Sequence, residues 1–170
     1  MNRARVLLLA IPFVAQWCFG QMCPSTAAPT NPVYSVVAAA PKDPERLGAP
    51  IIINVTVTNI SKGDAPWRAE RPDPTYRAFR FLLERDGREV EKTAFHRKIR
   101  GEQRPGDPQE VESGSSFLSS VGPGKSFSFQ VDLMRLYEIT GPGIYALNVA
   151  RFNDDGTRVC AKPLALTITQ

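Results

Sequence analysis

The chain predicts an all-β fold, two packed antiparallel sheets of about seven strands, and three observations carry that reading. Between positions 124 and 168, Phe127, Phe129 and Val131 alternate with Ser126, Ser128 and Gln130, the period-two pattern of a half-buried strand. Residues 144–149 and 164–168 repeat the alternation, and the breakers Gly141-Pro142-Gly143 and Asn153-Asp154-Asp155-Gly156 punctuate it. No apolar pattern of 3.6-residue spacing runs long enough for a sustained helix.

Taken in order, residues 1–20 read as a secretory signal. Arg3 and Arg5 supply the positive start, residues 6–13 an apolar run, and Cys18 and Gly20 the small residues before a cleavage point. A membrane span needs ~20 apolar residues, and Gln16 interrupts this run, so no stable span is expected after cleavage. Residues 21–32 form an arm rich in proline. Residues 33–170 form one domain, long enough to bury ~70% of the surface its unfolded chain exposes.

Within that domain, residues 33–39 read as the first strand, followed by a loop marked by Pro41, Pro44, Gly48 and Pro50. Residues 51–60 form a strong strand with Ile51, Ile53, Val55 and Val57 on one face. A polar, proline-marked loop spans 61–76 and carries Trp67. The next strand covers 78–84 with Phe79, Phe81 and Leu83 inward, and Asp86-Gly87 signals a hairpin into 88–91. A second long connection spans 97–124, with a short strand at Phe117-Leu118. Leu133, Leu136 and Tyr137 share one face of a single helical turn leading to the strand of Ile144.

Export leaves an even pair of cysteines, Cys23 and Cys160, in a compartment where thiols oxidise. A Cys23–Cys160 bridge would pin the arm to the end of the domain, where Cys160 opens the last strand. Chain entropy sets an upper value of ~5 kcal/mol for so long a loop. The alternatives are free thiols or a bond to another chain. Net charge falls from +4 to +2 once Arg3 and Arg5 leave with the signal. That dispersed balance does not argue for nucleic acid.

Catalytic chemistry finds little purchase. A zinc peptidase needs paired histidines, and this chain has a single histidine, His96. No Gly-x-Ser-x-Gly elbow is present, the Asn153–Gly156 cluster reads as a turn with Gly156 at positive φ, and no cofactor, metal or catalytic residue is expected. Two features remain as binding candidates. Trp67 with Arg68 and Arg71 is an aromatic beside arginines in the first long loop, or a tryptophan folded back to cap the core. His96, Arg97, Lys98 and Arg100 form a basic contact patch, or the charged guard of an edge strand.

Asn54-Val55-Thr56-Val57-Thr58-Asn59-Ile60-Ser61, Pro123-Gly124-Lys125-Ser126-Phe127, Tyr137 and Pro142-Gly143-Ile144-Tyr145 resemble the immunoglobulin-like sandwich domains of secreted bacterial proteins. Tyr145 stands two residues before Leu147, where immunoglobulin domains carry their second core cysteine, so it matches the tyrosine corner. Residues 51–168 also loosely resemble the sandwich domain of deuterolysin-type metallopeptidases and the bacterial intracellular proteinase inhibitor family. The expectation is a secreted or periplasmic protein that is not an enzyme. It would bind a protein or glycan of the cell envelope through loops 61–76 and 97–124. An exported proteinase inhibitor is the alternative.

Overall fold

A computed structural model describes residues 33–71, 78–108, 115–152 and 158–170, with the side chains of 68–71 and 115–118 outside that description. The expected signal and arm, Cys23 and the 153–156 turn with Gly156 also lie outside it. The fold is all-β. Among the described residues it has eleven strands rather than about seven, because several are two- or three-residue pieces that alternation cannot register. In order they are β1 (Tyr34–Ala39), β2 (Glu45–Arg46), β3 (Ile52–Asn59), β4 (Ala65–Arg71), β5 (Phe79–Arg85), β6 (Arg88–Glu89), β7 (Ser115–Val121), β8 (Ser126–Asp132), β9 (Gly143–Phe152), β10 (Arg158–Cys160) and β11 (Leu164–Thr169). Two short helices, α1 (Ala94–Arg100) and α2 (Leu133–Leu136), interrupt them.

One sheet has the order β1-β3-β8, antiparallel throughout. The other has the order β2-β11-β9-β5-β6, with β10 also on β9; only the β11–β2 pair is parallel. The alternating residues read as inward are buried: Ile51, Ile53, Val55 and Val57 from one sheet, and Phe79, Phe81 and Leu83 from the other. They join one core, and Phe79 meets Phe129 edge-on at 5.0 Å between the sheets. Asp86 and Gly87 take φ 51° and 74°, both left-handed, as a two-residue hairpin between β5 and β6 requires.

Three expectations need correction. Residues 61–76 and 97–124 are not simply loops, since β4 and β7 pair with each other over seven residues, Ala65 opposite Val121 through Arg71 opposite Ser115. Cys160 ends β10 rather than opening the last strand, because Lys162-Pro163 separate it from β11. Residues 94–100 are helical, neither an edge strand nor an exposed patch. The helix was signalled by its caps: Thr93 Oγ1 accepts from His96 N at 3.1 Å, and Gly101 closes the other end in the left-handed region. Phe95 and Ile99, four residues apart, face the core.

α1 and α2 together protect the open side of β5. Beyond Val90, whose N–H reaches Leu83 O, no strand continues along that edge among the described residues. Tyr137 Oη instead accepts from Leu83 N at 3.3 Å and donates to Phe81 O at 2.6 Å. Arg100 donates to Phe79 O. Side chains thus satisfy the backbone groups that a neighbouring strand would otherwise take.

Candidate functional site

β4 and β7 belong to neither main sheet, yet they continue the β3–β8 ladder. Thr58 lies opposite Ser126 and Ala65 opposite Val121, so six residues on one side, 59–64, face four on the other, 122–125. The two extra residues lie in the bend at 61–63, and a turn closed by Lys125 N to Gly122 O faces it on the other side. Seven pairs at ~3.3 Å each carry the ribbon roughly 23 Å.

Asn59, fully buried, holds the bend. Its Nδ2 donates to Gly63 O at 2.8 Å and Val121 O at 2.6 Å, bridging both strands. Its Oδ1 accepts from Ser61 N and Ser61 Oγ at 2.8 and 2.7 Å. Tyr34 Oη donates to Pro66 O at 2.6 Å, tying β1 to the same root. Burial raises the Tyr34 pKa, and the nearby Arg151 charge opposes that rise, so the phenol stays a donor at neutral pH.

Trp67 folds back on the core. Its ring lies 4.2 Å from Phe127 and 5.7 Å from Tyr34, both edge-on, and the Arg151 guanidinium sits 3.8 Å from its centroid. Arg151 is buried and also stacks 4.5 Å from Tyr34. Of the two readings of Trp67, the geometry supports the cap. Arg68 and Arg71 lie on β4 further along the ribbon, opposite Leu118 and Ser115.

The basic run of α1 serves the fold. His96 is 1% exposed, with Nδ1 3.1 Å from Leu136 O and its ring 4.9 Å from Tyr137. Burial, reinforced by Arg100 and Lys92, pulls its pKa down to about 4, so it is neutral at pH 7. Arg97 forks onto Asp107 at 2.9 and 2.6 Å and reaches Glu91 at 3.2 Å. The Arg97 bond is the main cause holding the Asp107 carboxyl well below the usual range. Burial lowers the Arg100 pKa to about 10. Lys98 is half-buried, and its carbonyl accepts from Gly101 N at 3.1 Å.

At the other end of the β5–β9 pair, Tyr145 Oη donates to Gly141 O at 2.6 Å and accepts from Arg85 at 3.3 Å. A Cβ on Gly141 would stand 2.8 Å from Arg85 Nη1, so the bare glycine lets the guanidinium lie over the corner. A shallow groove of ≈ 480 Å³ beside it is walled by Arg85, Glu89, Glu91 and Glu138. Cys160, the last residue of β10, is half-buried.

Sequence reasoning did not foresee the bonds made by Asn59 and Tyr137 or the place of Arg151. Asn59 and Arg151 are polar residues at strand positions of inward parity, which is the signal that marks them. Among the described residues no group of His, Cys, Asp and Glu side chains could hold a metal ion, and no helix is long and apolar enough to cross a membrane.

No protein-family profile and no curated protein matches the chain. Among solved structures it is similar to a β-glucosidase from Listeria innocua in complex with isofagomine, at 14% identity and a TM-score of 0.40. That likeness covers 79% of this chain but only 16% of the glucosidase.

Proposed function

We propose that this chain is a secreted or periplasmic, non-catalytic interaction module on an immunoglobulin-like sandwich. It captures a protein or glycan of the cell envelope through the β4–β7 ribbon. The observation that carries the reading is the ribbon itself. Two strands alone are marginally stable in water, yet Asn59, Tyr34 and Trp67 hold the root of this pair firmly against the core. A ribbon so anchored, paired with neither main sheet, offers its backbone edges to a partner. The Tyr145 hydroxyl bond to Gly141 supports the immunoglobulin-like assignment. Cys160 would pair with Cys23, fastening the mature N-terminus to β10.

The test is affinity capture from envelope and secreted fractions with the exported, oxidised chain. Beside it runs a variant in which residues 68–71 and 115–118 are each replaced by a Gly-Ser segment of the same length. The variant should keep its thermal transition and lose the captured species. Equal capture by both proteins would refute the ribbon as the site, and capture of a peptidase alone would favour an inhibitor.

A further inference from the structure

We propose that β8 pairs antiparallel with β8 of a second copy, making the protein a two-fold dimer through this edge. The inference is independent of what the ribbon captures. β8 is the last strand of its sheet and bonds only to β3 among the described residues. Asn59 N donates to Lys125 O and Leu133 N to Ile51 O, so odd-numbered positions at both ends of β8 bond toward β3. Alternation along an antiparallel ladder then directs the backbone groups of Phe127, Phe129 and Val131 inward. Those of Ser126, Ser128 and Gln130 point to the open side.

Among the described residues, the outer edges of β5 and β1 are covered. Tyr137, Arg100 and Val90 cover β5, and β1 runs beside β10. The usual guards of an exposed edge are a lysine, a proline or a bulge, and residues 126–131 of β8 contain no charge and no proline. Phe127 and Phe129 are only half-buried, since the core is open on this side.

The strand is complementary to itself. A two-fold axis at Phe129 sets Phe127 opposite Val131 of the second copy on the core face, and Ser128 opposite Gln130 on the solvent face. Apolar meets apolar. The polar pairs extend a ladder already present, in which Thr58 bonds Ser126 at 2.7 Å, Thr56 bonds Ser128 at 2.8 Å and Gln130 bonds Asn54 at 3.2 Å. Charge selects the direction. Lys125 precedes the strand and Asp132 ends it, so antiparallel pairing sets the basic end of each strand beside the acidic end of the other, whereas parallel in-register pairing would set like ends together.

Sedimentation velocity over a concentration series, on the protein expressed and exported from its full sequence, tests the proposal. A monomer–dimer shift without larger species is expected. Ser128→Lys, at an exposed position, should leave the thermal transition in place and hold the protein monomeric. Amide exchange adds a residue-level readout: Ser126, Ser128 and Gln130 should slow as concentration rises, while Phe127 and Phe129 stay unchanged. A monomer at every concentration, a dimer indifferent to Ser128→Lys, or a monomer whose edge takes up an added extended peptide would each overturn it.

Discussion

Replacing Tyr137 by Phe removes one oxygen atom and tests how the β5 edge is held. The ring is fully buried, so its packing survives the change. Its hydroxyl donates to Phe81 O at 2.6 Å and accepts from Leu83 N at 3.3 Å, 54 residues away in sequence. The phenol pKa is raised chiefly by burial, which keeps the group neutral and able to donate. Without it, the Leu83 amide is buried with no partner and the bond to Phe81 is lost. One lost bond and one stranded donor together cost about 2–3 kcal/mol. For a domain of this size that lowers the melting temperature by about 5–10 °C. Urea unfolding should show the loss as a shifted midpoint with an unchanged m-value, because no new surface is exposed. Exchange of the Leu83 amide should quicken in the same variant. A loss below about 0.5 kcal/mol, with that amide protected as in the parent, would show that the hydroxyl does not hold the edge.

Two further outcomes follow from buried polar groups. Asn59→Ala removes the amide joining Gly63 and Val121 across the bend, and about 2–4 kcal/mol should be lost; an unchanged melting temperature would mean that the bend holds without it. His96 has its folded pKa depressed to about 4, so between about 4 and the ordinary 6.5 the unfolded chain takes up a proton that the folded chain refuses. Its contribution is therefore complete above 6.5 and lost as pH falls toward 4, about 2 kcal/mol after allowance for solvent screening. Stability measured across that window should rise with pH, and the rise should flatten in His96→Gln; a flat profile in the parent would contradict the burial argument.

The long strands were legible because their inward residues are apolar and alternate without interruption, as in 51–57 and 127–131. The single turn at Leu133 and Leu136 and the Asp86-Gly87 hairpin were legible for local reasons as well, spacing in one and turn chemistry in the other. β4 and β7 were not. Ala65 to Arg71 mixes proline, tryptophan and charge, and its partner lies about fifty residues away, so no local period announces the pairing. α1 was hidden by its own composition: His96, Arg97 and Arg100 look like a solvent patch, whereas Tyr137, Asp107 and the Phe79 carbonyl draw them inward.

Alternation, turn residues and the near absence of helical periodicity were enough to determine an all-β chain and most of its core, because those signals arise within a few residues of one another. Which polar side chains become structural was decided only by the tertiary structure. Asn59, His96, Arg97, Tyr137 and Arg151 find their partners across the fold, and a group's solvation, and with it its charge and role, depends on neighbours that sequence distance does not encode. The same holds for the edges. Tyr137 and Arg100 close β5 from segments far along the chain, while among the described residues β8 has a neighbour on one side only, and that difference exists only once the sheets are assembled.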